Sequence, residues 1–428
     1  MGGESIPWTL YLASSSNGPV NTYFIGGDTY FDREGLYGTS QGDYEDSCSR
    51  FVFFCRACLA AAQALGERID LWHCQDWQTA LIPMYLKFCF SEHPFHGGAA
   101  SVFTIHNMAY QGLFWHWDWP LLNLAWQHFN WKELEYHGKM NLLKGALVHS
   151  DILTTVSPTY AKEIQTPEFG CGLDGILSER KTELFGIVNG IDTEAWNPGR
   201  DSLLTSTYNS ADLRGKRVCK DLLRRKFNLP QGDEAVVGMI GRLFEQKGFD
   251  LVANSIEELL RRDIQLVVLG TGREEFHKLL QRVQQSNPKK IAVAFAFDNG
   301  LAHLIEAGSD MFLMPSRYEP CGLNQLYSLA YGTPPIVRRV GGLADTVTDT
   351  THDTRAAGTA TGFQFDEYSS ATMLACLDRA LLLYRKEPEI WKKLQITGMQ
   401  QDWSWRQSAV KYIEVYERAV QKVLSRKS

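Results

Sequence analysis

A chain of 428 residues is too long for one ordinary hydrophobic core, so two domains are expected. Hydrophobic residues at 44% and charged residues at 21% are ordinary for a soluble globular protein, and the net charge of −6 argues against general binding to nucleic acid or to an anionic membrane surface. No run of ~20 apolar residues occurs, so no transmembrane helix is expected. The 12 tryptophans leave rings available for stacking on sugars, although core packing accounts for most of them. The nine cysteines are scattered, mostly in apolar segments, and read as reduced thiols of a cytosol-like compartment.

Taken in chain order, the opening MGGESIPWTLYLASSSNG has no basic region before its short apolar piece and is not a good secretory signal. It starts Met-Gly, but Ile6 stands where a myristoylation site needs Ser or Thr. RFVFFCRACLAAAQAL has helical periodicity. Its Cys55-x-x-Cys58 has no second pair downstream and reads as packed helix rather than as a metal or redox motif. RIDLWHCQD is a short strand and WQTALIPMYLKF a helix; AASVFTIHN and SDILTTVSP are further strands, the latter followed by the helix TYAKEIQ. Residues 166–215 are irregular, rich in Gly, Asn, Asp and Pro.

The alternation then restarts. Strands AVVGMIGR, IQLVVLGTG, KIAVAFAF, DMFLMPS and PPIVRRVGG are separated by helices near 247–262, 273–286, 299–307 and 322–331. Strands alternating with helices predict parallel sheets with right-handed crossovers, so the fold class is α/β with two doubly wound domains. Such sheets bind ligands at the carboxyl ends of their strands. The residues there are His73, Gln75 and Asp76; His106 and Asn107; Gly241 and Arg242; Gly270-Thr271-Gly272; and Glu319.

GRLFEQKG places Arg242 and Lys247 five residues apart around a strand-to-helix turn. Two cations beside a helix N-terminus suit a diphosphate, and a solvated basic pair on a loop is the equal alternative. The GTG at 270–272 lacks the full Gly-x-Gly-x-x-Gly pattern, and a tight turn explains it equally well. Glu319 stands before a helix whose first N–H groups, at Cys321, Gly322 and Leu323, are unpaired donors for sugar hydroxyls or phosphate. Read in isolation it is a capping acid.

Several long segments change that reading. YFDREGLYG, WHCQDWQTALIPMYLK, VFTIHNMAYQGLF, LTTVSPTYAKEIQTPEFGCGLDGIL, GIVNGIDTEAWNP, GRLFEQKGFDL, PSRYEPCGLNQLYSLAYGT and GGLADTV occur in this order across roughly 30–420. The chain resembles the bacterial ADP-glucose-dependent glycogen synthases, of the retaining glycosyltransferase family that also holds the plant starch synthases. The resemblance implies the GT-B architecture, two Rossmann-like domains facing across a cleft. It implies transfer of glucose from ADP-glucose to an α-1,4-glucan with retention, without metal or cofactor. The expected division is an acceptor-side domain at 1–190, an ADP-glucose-binding domain at 191–401, and a C-terminal helix at 402–428 that crosses back to the first domain.

Residue by residue, the resemblance makes Arg242 and Lys247 the pair that holds the diphosphate. Glu319 is the acid at the glucose, and Cys321, Gly322 and Leu323 supply amides to its hydroxyls and the distal phosphate. His106 meets the donor glucose, Asp76 lies near acceptor and sugar, Asn189 near the glucose, and Phe297 stacks on adenine. Tyr327 occupies the place, eight residues after Glu319, where related retaining enzymes carry a second Glu; glycogen synthases also lack that acid.

One family feature is missing: the opening strand and its Lys-x-Gly-Gly-Leu loop have no counterpart here. That implies a truncated or mis-started chain or a lineage variant, with a bare sheet edge in the first domain. Two further functions stay open for this reason. One is a non-catalytic, glucan-binding relative or fragment; the other is a GT-B enzyme using UDP-glucose. FGCGLDGIL and FWHWDW favour the cytoplasm of a bacterium over a plastid stroma. The expected partners are ADP-glucose and glycogen or starch, with no nucleic acid and no membrane.

Overall fold

The computed structural model describes residues 1–13, 18, 20–39 and 42–426. Residues 14–17 and 19 of the opening stretch, 40 and 41, and 427 and 428 of the expected C-terminal segment lie outside the described residues. The chain divides into two compact units. The first holds Met1–Thr155, Ala161–Phe185 and Lys411–Ser428; the second holds Val156–Tyr160 and Gly186–Val410.

In the first unit the strands Leu71–Gln75, Ala100–Ile105 and Ile152–Thr155 pair in parallel, with Leu184–Gly186 next to Ile152–Thr155. Every residue of Ala100–Ile105 and of Ile152–Thr155 is buried. That is the full burial of parallel strands covered on both faces, and the polar Ser101, Thr104, Thr154 and Thr155 among them are hydrogen-bonded. The helix Ser47–Ala64 buries Phe51, Phe53, Cys55 and Leu59. Within it the Cys55 thiol donates to the Gln78 carbonyl, and burial pushes the Cys58 thiol up to about 12. All nine cysteines are free thiols.

Two features escaped the alternation of strands and helices because their strands are too short to show a period. Thr9–Leu12 and Tyr23–Gly26 form an antiparallel pair. Leu113–Trp115, Lys139–Asn141 and Glu135–Tyr136 form a three-stranded antiparallel sheet. His137 and Gly138 both have positive φ (51° and 79°), as a two-residue hairpin turn matched to strand twist requires.

The second unit carries six strands, all joined by parallel pairings. Counted from Ala235–Ile240, their spatial order is 3-2-1-4-5-6. The direction of winding therefore reverses between Ala235–Ile240 and Met311–Met314, the place where such sheets open a ligand crevice. The helix Phe249–Arg261 turns Phe249, Val252, Ile256, Leu259 and Leu260 inward, an i, i+3, i+4 stripe that packs on Val237, Leu266, Met311 and Ile336. The irregular stretch at 166–215 contains the helix Asp174–Glu179 and the strand Leu184–Gly186. The last helix runs Trp405–Ser425. Among the described residues no helix is long and apolar enough to cross a membrane.

Candidate functional site

In the second unit the site lies at the carboxyl ends of strands 1 and 4 of the sheet. Register Val237↔Met311 and Gly238↔Phe312 brings the turn after Ile240 beside the turn after Met314. The first turn carries Arg242 and, on the short 3-10 segment Glu245–Lys247, Lys247. The second carries Ser316 and Glu319. Lys247 Nζ lies 2.6 Å from Glu319 Oε2, and Ser316 Oγ donates to the same oxygen at 3.0 Å. Glu319 is buried, so a charged carboxylate is held here only because an ammonium and a hydroxyl answer it.

Arg242 Nη2 donates to Gln246 Oε1 at 3.2 Å, and its guanidinium carbon lies 5.8 Å from the centroid of the Phe244 ring. Both contacts keep the fork at the mouth of the turn. The GTG segment supports that turn from the side. Leu243 N–H donates to the Thr271 carbonyl, and a Cβ at Gly270 would meet the Gly241 carbonyl at 1.8 Å. The glycines there permit two turns to touch.

The expectation that Glu319 sits at a helix mouth needs correction. The helix begins at Asn324, and no side chain caps it. Pro320, Cys321 and Gly322 intervene, and Gly322 turns the backbone at φ 72°. The carboxylate is held by Lys247 rather than by the helix. The N–H groups of Gly322 and Leu323 meet no acceptor among the described residues. Asn189 reaches the same turn: its backbone N–H bonds the Cys321 sulfur, and its Oδ1 is buried without a partner. Burial pushes the Cys321 thiol up to about 12, which keeps it protonated. Gly341, at φ 46°, lets its backbone lie against Glu319: a Cβ there would come within 2.0 Å of the Glu319 carbonyl oxygen. Phe297 is fully exposed beyond the strand Ile291–Ala294.

In the first unit a second cluster forms where parallel strands end together, with Gln75 opposite Thr104. Asp76 Oδ1 accepts the His106 N–H at 2.9 Å. Burial raises the Asp76 carboxyl, and the N–H groups of His106 and Asn107 hold it back. Asp76 has φ 58°, a costly conformation for a residue with a Cβ, retained at the turn that aims its carboxylate. His106 Nε2 lies 2.8 Å from Gln75 Oε1, Gln75 Nε2 lies 3.0 Å from His73 Nε2, and His73 Nδ1 lies 2.8 Å from the Tyr416 hydroxyl. An amide oxygen only accepts, so the arrangement that satisfies every group puts a proton on His106 Nε2. Burial lowers the His73 ring to about 4, so it stays neutral and relays the order to Tyr416.

The sequence-based residues thus fall into two groups. Arg242, Lys247, Glu319, Asn189, Cys321, Gly322 and Leu323 share one turn cluster of the second unit, and Asp76 and His106 share one of the first. Ser316 and Tyr416 were not singled out by sequence. Ser316 lies three residues from Glu319 in the same turn, a signal that was available; Tyr416 reaches His73 from 343 residues away, which no local pattern reports.

A family profile described as Starch synthase catalytic domain matches residues 5–179, and one described as Glycosyl transferases group 1 matches residues 221–394. The glycogen synthase of Syntrophotalea carbinolica is 49% identical over 413 residues, covering 96% of this chain and 84% of that one. The glycogen synthase of Koribacter versatilis is 48% identical over 402 residues, covering 94% and 82%. Among solved structures, the catalytic domain of Starch Synthase IV from Arabidopsis thaliana bound to ADP and acarbose matches with a TM-score of 0.89. It is 33% identical and covers 97% of this chain and 85% of that one.

Proposed function

The chain belongs to the glycogen and starch synthase family of GT-B glycosyltransferases, and from that premise we propose that it transfers glucose from ADP-glucose to the non-reducing end of an α-1,4-glucan, with retention. The observation that carries this reading is the Lys247–Glu319 pair at the reversal point of the second sheet. An Arabidopsis relative bound to ADP and acarbose supports the choice of donor and acceptor.

In this reading the second unit takes the donor. Arg242 and Lys247 face the diphosphate, and the N–H groups of Gly322 and Leu323, with Cys321, face the distal phosphate and glucose hydroxyls. Glu319 orients the sugar and offsets the positive charge that develops at its anomeric carbon, and Asn189 offers its buried Oδ1 to a sugar hydroxyl. Phe297 stacks on adenine. The first unit takes the acceptor through Asp76 and His106, whose Nε2 proton is held by Gln75 while Nδ1 is left to accept from a sugar hydroxyl.

The bond from C1 to the phosphate oxygen breaks as the bond from C1 to the acceptor O4 forms on the same face. The O4 proton passes to the departing phosphate, so no covalent sugar–enzyme adduct is needed. The reaction takes place in a bacterial cytoplasm, without nucleic-acid or membrane partners.

The test is incorporation of labelled glucose into glycogen by the purified chain, with UDP-glucose and a Glu319→Ala variant in parallel. Incorporation from ADP-glucose, lost in the variant, is the expected result. Preference for UDP-glucose overturns the donor, and glycogen binding without incorporation from either donor overturns the transferase reading.

A further inference from the structure

A cavity of about 260 Å³ lies in the second unit, and Ile191, Trp196, Asn197, Asn209, Gln401 and Trp403 are among the residues that line it. No lining residue belongs to the cluster around Arg242, Lys247 and Glu319, and no lining side chain is ionisable. We propose that this cavity is a non-catalytic binding site for a single neutral pyranose.

Each of the three amides has a fixed orientation. Asn197 Oδ1 accepts the Gly199 N–H at 2.9 Å, and Asn209 Oδ1 accepts the N–H groups of Ala211 and Asp212 at 2.9 and 3.1 Å. Gln401 Oε1 accepts the Trp403 Nε1–H at 3.2 Å. Backbone and indole N–H groups only donate, so in every case the amide oxygen is engaged and the NH2 group is the free end. None of these NH2 groups meets an acceptor among the described residues, and neither does the Trp196 Nε1–H. Both faces of Trp196 are occupied, by Tyr327 at 3.7 Å and His303 at 3.8 Å between centroids, which leaves its edge and its N–H to the cavity.

The walls are joined without any ligand. The Ile191 N–H donates to the Trp403 carbonyl at 2.8 Å, and Ile191 bridges Ser404 in parallel. A Cβ at Gly190 would come within 2.4 Å of the Trp405 nitrogen, so the two segments touch backbone to backbone. A pre-formed site of this kind loses little entropy when its ligand enters.

The chemistry selects the ligand. Free N–H donors whose companion acceptors are already engaged call for a ligand rich in oxygen lone pairs. An anion is disfavoured, because no cation lines the cavity to offset its desolvation. A purely apolar ligand would strand the amides unpaired. A pyranose meets both demands: its hydroxyls accept from the amides, and its C–H face lies against an indole such as Trp403. The volume falls just below the roughly 300–1,000 Å³ of pockets for drug-sized ligands, which suits one ring rather than an oligomer.

The experiment is a saturation-transfer NMR titration of the whole chain with D-glucose and, separately, with glucose 6-phosphate. It is repeated on Gln401→Leu, on Trp403→Leu and on the double variant Asp76→Ala/Glu319→Ala, each checked by thermal melting. Gln401→Leu keeps the side chain's shape and removes its NH2 group, so it reports binding even if loss of Trp403 disturbs the fold. The expected result is that glucose binds the wild type and the Asp76→Ala/Glu319→Ala variant alike, that Gln401→Leu weakens this about fivefold, as loss of one hydrogen bond does, and that Trp403→Leu weakens it at least as much. Unchanged affinity in both cavity variants overturns the proposal. Binding lost in Asp76→Ala/Glu319→Ala places the sugar among the reacting groups and overturns it too. Tighter binding of glucose 6-phosphate than of glucose overturns the neutral class. A wild-type chain that incorporates glucose into glycogen but binds no free glucose overturns the proposal and leaves the transferase reading standing.

Discussion

Replacing Lys247 with methionine preserves the side chain's apolar stem and removes the ammonium 2.6 Å from Glu319 Oε2. The Glu319 side chain is 6% exposed and that of Lys247 25%, so the carboxylate left behind is the more poorly hydrated partner. Stranding one partner of a fully buried pair costs about 3–5 kcal/mol. Here the lysine was partly solvated and the Ser316 hydroxyl still donates, which reduces the cost to about 2–3 kcal/mol. For a unit of this size each kcal/mol moves the melting temperature by about 2–4 °C, so the variant melts about 5–10 °C below wild type. Differential scanning calorimetry without substrate measures this. The double variant Lys247→Met/Glu319→Gln removes the stranded charge and recovers most of the loss, while glucose transfer stays abolished in both. A single variant that melts within a degree of wild type, or a double variant no more stable than the single, refutes the argument that the pair is desolvated.

Burial pushes the Glu306 carboxyl up to about 8, with Ser328 donating to Oε2 and Oε1 unpartnered. The folded chain then holds a proton that the unfolded chain releases near 4.5, so this stability is fully present below that pH and is lost as pH rises through about 8. Glu306→Gln therefore flattens the fall in melting temperature between pH 5 and 7, read below the range in which Lys216, lowered by burial to about 8, titrates; equal slopes in the two proteins count against it. Gln75→Ala breaks the 2.8 Å contact with His106 Nε2 and lowers kcat about 3- to 12-fold with KM for ADP-glucose unchanged, in steady-state assays; an unchanged kcat removes Gln75 from the relay. Gly341→Ala drives a methyl into the Glu319 carbonyl and displaces the acid, so transfer falls about a hundredfold while the chain stays soluble; near wild-type activity shows that the turn can yield.

Much of this molecule is legible without coordinates. The runs Ala100–Ile105, Ile264–Leu269 and Met311–Met314 are wholly buried strands and mostly apolar, as strands covered on both faces of a parallel sheet are, with Ser101, Thr104 and Gln265 hydrogen-bonded within them. The rule that ligands meet the carboxyl ends of such strands then picks out Asp76, His106, Arg242 and Glu319. Local pattern fails where a residue's state depends on partners far along the chain. Glu319 reads as a helix acid from its neighbours, yet Lys247, 72 residues earlier, holds it.

The sequence by itself determined the alternating strands and helices, the family, and the turns that carry charge, since each rests on short-range periodicity or on motifs contiguous in the chain. Tertiary structure decided which strands lie side by side, and with that the order 3-2-1-4-5-6, the Lys247–Glu319 pair and the relay from His106 to Tyr416. It also decided which of the 12 tryptophans face solvent. Burial is a property of the packed whole: an indole has the same composition wherever it stands, and only the elements laid over it determine whether water or core meets its face.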